Sequence, residues 1–195
     1  MIINNFTFKE DIGLFKSEKE YEPTLVDKLY KLREQDNQTD GGSNIKGWQK
    51  EISGMIDYMH IRTMIMKEFV DFFQKNIGDF DMDVSVIKFF VNINPPGASH
   101  LMHHHEGGQY SGAYWLQADK NSGSLMIMNP YPNTFISTFC RRKSEDKNNY
   151  NCIAIPPEPN TGVFFNSNLV HYVDVNRSNQ DRIGFGFHLY LKEKI

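Results

Sequence analysis

Between Val84 and Leu191 the chain repeats one pattern, in which short runs rich in β-branched and aromatic residues are separated by clusters of glycine, proline, asparagine and serine. The runs are residues 84–94, 110–116, 124–128, 152–155, 162–166, 170–175 and 182–191. No helical periodicity interrupts them, and parallel neighbours would need crossover helices of a dozen or more residues. The runs are therefore expected to pair antiparallel. Each must bury a face, so they are expected to close on one another as a sandwich or barrel.

The first third of the chain has a different period. Pro23 to Gln35 sets Leu25, Leu29 and Leu32 on one face at helical spacing, and Pro23 suits a first turn. A polar stretch with Gly41-Gly42 follows, and then Gly54 to Ile77 carries Met55, Ile56, Met59, Met64, Ile65, Phe69, Phe72 and Phe73 before Gly78 closes it. We expect one domain over residues 1–195. A helical elaboration over 1–80 should pack on one outer face of a β core over 81–195.

Of the 195 residues 39% are hydrophobic, enough for a core, but no window is apolar for the length of a membrane span. With no leader pattern at the N-terminus the expected location is the cytoplasm. A net charge of -3 gives no basic excess for a phosphate backbone, although Arg141, Arg142 and Lys143 form a local basic run. Cys140 and Cys152 lack ligand-like spacing to any histidine and read as two unrelated thiols.

Chemistry concentrates in HLMHHHE, where four of the seven histidines and a glutamate fall between His100 and Glu106. In extended chain His103 and His105 project to one side and His104 and Glu106 to the other. Two chelating pairs thus compete, His-x-His and His-x-Glu. A catalytic metal needs a further ligand and open positions, and His171, at the start of a later β run, is the candidate. Arg182 opens the final run, where alternation sets Arg182, Gly184, Gly186 and His188 on one face. One arginine with two glycines suggests a cavity in which a guanidinium meets a carboxylate.

The order His-x-(acid or His), distant His, then Arg, in a strand-rich half, resembles the iron(II)- and 2-oxoglutarate-dependent oxygenases. VNINPPGASHLMHHHEGGQYSGAYWLQ, SGSLMIMNP, GVFFNSNLVHYVDVN, DRIGFGFHLY and, further upstream, SNIKGWQK are similar to a group of these enzymes in marine bacteria and phages. The resemblance covers residues 43–190, with the insert from Asn133 to Asn151 poorly matched. It implies a double-stranded β-helix, or jelly roll, and a dioxygenase that uses Fe(II) and 2-oxoglutarate to hydroxylate a prime substrate while releasing succinate. With Ser111-Gly112 as anchor, the metal ligands carry over to His103, His105 and His171. The grip on the distal carboxylate carries over to Arg182. Asn92 and Tyr114 are looser candidates for lining the cosubstrate pocket.

One departure stands out. The family generally uses two histidines and one carboxylate, whereas this set has three neutral ligands. A register slip of one residue would give His104, Glu106 and His171 instead. His100 is expected on a loop surface and His60 on a helix surface, while His188 reads equally as pocket wall or packed core. The segment from Gly97 to His105 also resembles the opening of the cupin metal motif, with PNTG before His171 as its second half, but Gln109 and Tyr110 stand where that motif has a glutamate. A metal-binding cupin or a three-histidine dioxygenase without 2-oxoglutarate is the alternative. The prime substrate is open, and the 133–151 insert is a candidate lid over the barrel mouth.

Overall fold

The computed structural model describes residues 12–17, 23–76, 78, 81–130 and 152–194. Eleven strands are present among them: β1 (Ile12–Lys16), β2 (Asn44–Ile45), β3 (Trp48–Glu51), β4 (Met82–Asn94), β5 (Ser99–His103), β6 (Tyr110–Gln117), β7 (Leu125–Met128), β8 (Cys152–Ile155), β9 (Thr161–Asn166), β10 (His171–Val173) and β11 (Arg182–Glu193). The two α-helices are α1 (Pro23–Gln35) and α2 (Met59–Asn76), the latter entered through a 3-10 turn at Ile56–Tyr58. All ladders are antiparallel. One sheet has the order β1-β9-β6-β11-β4-β3, and the other has β2-β5-β10-β7-β8. Apart from the β7–β8 pair, which stays within one sheet, sequence neighbours alternate between the sheets from β4 to β11, which is the winding of a double-stranded β-helix. The insert expected as a lid, with its basic run and Cys140, lies outside the described residues.

The expected strands are all present, but four were not anticipated, β1, β2, β3 and β5. β1, β2 and β3 come from the segment read as a helical elaboration, and each extends a sheet edge by pairing with β9, β5 and β4 respectively. Their sequences are short and polar or glycine-broken, so they gain their conformation from a distant partner rather than from local pattern. The second helix also starts later than its periodicity suggests, because Ile56–Tyr58 forms the 3-10 turn first. At its far end the Gly78 amide donates to the Phe73 carbonyl at 3.2 Å with a φ of 148°, a conformation open to glycine.

Two apolar layers hold the fold. On the outer face of the six-stranded sheet, Leu25 and Leu29 of α1 and Ile61, Ile65 and Phe69 of α2 pack against Phe89, Val91, Phe185, Phe187 and Phe164. Phe69 meets the rings of Tyr110 at 5.1 Å and Phe164 at 5.2 Å. Each such side chain contributes about 1.5–3 kcal/mol on burial. Between the sheets, Trp115, Leu125, Ile127, Ile155, Val163 and Phe165 form a second cluster. The two layers together explain why the central strands are apolar on both faces near one end. Toward the other end of the barrel the inward positions become polar, and a cavity opens.

Candidate metal centre

The cavity measures about 120 Å³. One water needs roughly 10–15 Å³ by that measure, so there is room for a small organic ligand. Its walls come from both sheets. β11 alternates Arg182, Gly184, Gly186 and His188 toward it, and β4, in register, brings Asn94 beside Arg182 and Asn92 beside Gly184. From the opposite sheet, β5 and β10 pair directly at His103 and His171. This single register match sets two histidines side by side though they lie far apart in sequence. After His103 the strand ends, and the His105 amide donates to the Ser167 carbonyl at 3.0 Å, which turns the third histidine back over the same end of the barrel.

The donor nitrogens of His103, His105 and His171 lie within 4.8 Å of one another. Ring centroids are 4.9 Å apart for His103 and His105, 4.3 Å for His103 and His171, and 4.8 Å for His105 and His171. Imidazoles bound to one ion at right angles, with a nitrogen to metal distance of about 2.1 Å, would have centroids about 4.5 Å apart, so the cluster fits one ion bound on a single face. The Nδ1 atoms of His103 and His171 face the carbonyls of Leu101 at 2.6 Å and Leu169 at 2.8 Å. A carbonyl only accepts, so each Nδ1 carries the proton and each Nε2 keeps a lone pair for a metal. Burial pushes His105 down to about 2 and His171 to about 4, and it lowers His103 as well, so the three imidazoles are neutral near pH 7. His104 and Glu106, the competing pair, are exposed.

Arg182 is only 3% exposed. One of its terminal nitrogens donates to the carbonyls of Ser122 and of Gly123, the latter at 3.2 Å, while the other is enclosed without a partner. Among the described residues no aspartate or glutamate lines the cavity. Desolvation lowers this guanidinium to about 10, yet it stays charged at neutral pH. A buried cation with an unmet donor and no counter-ion among the described residues is suited to receive an anion.

The looser candidates separate. Asn92 borders the cavity and its Oδ1 is buried without a partner. Tyr114 also borders it, but its ring stacks on Phe15 at 6.0 Å and its hydroxyl donates to Asn160 Oδ1 at 3.2 Å. Strand alternation assigns the Tyr114 side chain to the helix-facing layer. His60 is exposed on α2 as expected. The expectation for His100 is corrected: the turn at Gly97 is tight enough for β5 to start at Ser99, and pairing with β2 and β10 makes His100 part of the cavity wall. Its Nε2 lies 3.3 Å from Asn94 Oδ1, and burial lowers it to about 3. Asn94 also donates to Asn44 Oδ1 at 3.0 Å, so an amide and imidazole network braces the wall beside Arg182. The inward asparagines of VNIN were the available signal. Gln109, where the cupin motif has its glutamate, is bonded to both backbone groups of Leu191 and is committed to the sheet.

The protein family described as "Putative 2OG-Fe(II) oxygenase" matches residues 88–188, which is 101 of 195 residues. No curated protein matches the chain by sequence. Among solved structures, the chain is similar in fold to a prolyl-4-hydroxylase of Pseudomonas putida, with 11% identity, a TM-score of 0.59, and coverage of 95% of this chain and 94% of that one. It is similar also to a viral collagen prolyl hydroxylase from Paramecium bursaria Chlorella virus-1 in complex with 2-oxoglutarate (13%, TM-score 0.57, 92% and 96%). A third is the Trichoplax adhaerens prolyl hydroxylase bound to a hypoxia inducible factor peptide fragment (12%, TM-score 0.60, 92% and 84%).

Proposed function

Since the chain belongs to the 2OG-Fe(II) oxygenase family and acts as an iron(II)- and 2-oxoglutarate-dependent oxygenase, we propose that His103, His105 and His171 hold the iron and that Arg182 receives the distal carboxylate of 2-oxoglutarate. The observation that carries this reading is one cavity with three convergent neutral imidazoles and, on the facing wall, a buried guanidinium with an unmet donor.

The charges support it. Iron(II) and Arg182 together bring three positive charges to a cavity whose lining contains no carboxylate among the described residues. A three-histidine set leaves that charge uncompensated by protein, and the two carboxylates of 2-oxoglutarate compensate most of it. The cosubstrate thereby takes part of the role that a carboxylate ligand has in the two-histidine sites. Arg182, fixed by two backbone carbonyls, sets the depth to which the cosubstrate enters, and Asn92 lies along the same wall. Bound iron supplies the activation of dioxygen that couples decarboxylation of 2-oxoglutarate to oxidation of the prime substrate.

The test is anaerobic titration of 2-oxoglutarate into iron(II)-loaded protein, followed by visible absorption, and then succinate measurement on admitting oxygen. Wild type should bind and release succinate. Arg182→Ala should keep iron yet lose 2-oxoglutarate, and His171→Ala should lose iron. Iron-loaded wild type that ignores 2-oxoglutarate would refute the assignment of Arg182.

A further inference from the structure

Two of the three clustered imidazoles are anchored in the same way. His103 and His171 each point Nδ1 at the carbonyl two residues earlier, at 2.6 and 2.8 Å. His105 has no ring hydrogen bond among the described residues, so its backbone is tied to Ser167 but its ring is not. Metal-binding imidazoles are ordinarily oriented through their second nitrogen. Something else has to fix this one.

Among the described residues the ring closest to His105 is that of His188, with centroids 4.1 Å apart and planes at 45°. His188 is itself well held. It is 7% exposed, lies in register with Ser111 of β6 and Lys88 of β4, and meets the edge of Phe90 at 5.7 Å. The β4 pairing shifts register between His188 and Leu189, and such bulges re-aim a side chain locally. Its Nδ1 is enclosed without a partner. Resting on the reading of His103, His105 and His171 as ligands, we infer that His188 is a positioning residue: its ring packs against His105 and holds that ligand at the angle the metal requires. Packing of the ring, rather than donation by its nitrogen, is the means. The unmet Nδ1 remains available to a ligand in the cavity.

The experiment uses cobalt(II) as the metal probe on the full chain, reading dissociation constants and the visible spectrum of the bound ion. His188→Phe retains an aromatic ring of similar shape, and His188→Ala removes it. We expect His188→Ala to bind cobalt 10–100-fold more weakly than wild type, as is typical when support of a metal ligand is lost, and to shift the spectrum. His188→Phe should restore affinity to within threefold and restore the spectrum, a rescue that general loosening of the fold would not produce. Wild-type affinity in His188→Ala, or equal losses in both variants, would overturn the inference. His171→Ala separates the two readings: if it abolishes cobalt binding while His188→Ala does not, only the role of His188 fails, and if neither affects binding the ligand assignment itself fails.

Discussion

At the scale of single residues, Arg182 is the most informative side chain, because burial opposes its charge and one of its terminal nitrogens is unpartnered. A base whose folded value is depressed from 12.5 to about 10 costs the fold stability at every pH below about 10, and the cost disappears only as pH rises toward 12.5. The shift corresponds to about 3 kcal/mol. Against it stand the bonds to the Ser122 and Gly123 carbonyls, whose loss would cost about 1–3 kcal/mol. Arg182→Met should therefore leave ligand-free stability within about 1–2 kcal/mol of wild type. The ligand response should differ sharply. 2-Oxoglutarate at a hundred times its dissociation constant adds about 2.7 kcal/mol to wild type and should add nothing to Arg182→Met. Denaturant unfolding with and without 2-oxoglutarate measures both quantities. Pyruvate, which keeps the keto acid but lacks the distal carboxylate, should stabilise neither.

At the scale of elements, β11 joins the two layers: Phe185 and Phe187 face the helices, and Arg182, Gly184, Gly186 and His188 face the cavity. Its two inward glycines have different reasons. A Cβ on Gly184 would lie 2.6 Å from the Tyr114 carbonyl oxygen, because the β6 register shifts there and the backbones approach closely. A Cβ on Gly186 would meet only Asn92 Nδ2 at 3.5 Å and Phe90 Cδ2 at 4.0 Å, which is ordinary contact. Gly184→Ala should destabilise by about 1–3 kcal/mol through overpacking, whereas Gly186→Ala should unfold with wild type and only reduce the room above the strand. Thermal unfolding of the pair distinguishes them. The alternation of β11 was legible in the sequence, as were the other long runs and both helices, because each carries its own period. The edge strands β1, β2 and β3 were not legible, since two to five residues without alternation become strands only when a distant partner supplies the ladder. The His103, His105 and His171 grouping was legible as a possibility in spacing, but what brings these imidazoles together while His104 and Glu106 stay exposed is β5 pairing with β10 at His103 and His171, a long-range register that local pattern does not contain. His100 was misjudged for a related reason: the residues after a Pro-Pro-Gly turn resume a strand at once.

At the scale of the whole molecule, the barrel collects its buried imidazoles at one end, and this ties folding to pH and to metal. His171 and His188 are 3% and 7% exposed, and burial lowers both from 6.5 to about 4. In the unfolded chain they take up protons as pH falls through 6.5, while in the folded chain they do so only near 4. Between those values the unfolded state binds more protons, so stability falls as pH falls. Each contributes a slope of about 1.4 kcal/mol per pH unit, or about 3 kcal/mol per unit for the pair. His100 and His105, lowered to about 3 and about 2, act in the same direction. A domain of ordinary stability, about 5–15 kcal/mol, would be exhausted within this window, so the metal-free protein should lose its fold cooperatively between pH 6.5 and 4. A metal bound to the neutral imidazoles favours the folded state by mass action and should move the midpoint to lower pH. Circular dichroism across a pH series, with and without a saturating divalent metal, reads the displacement directly. Coincident curves would mean that the metal does not engage the folded histidine cluster, and a metal-free curve flat to pH 4 would mean that the imidazoles are already solvated in the fold.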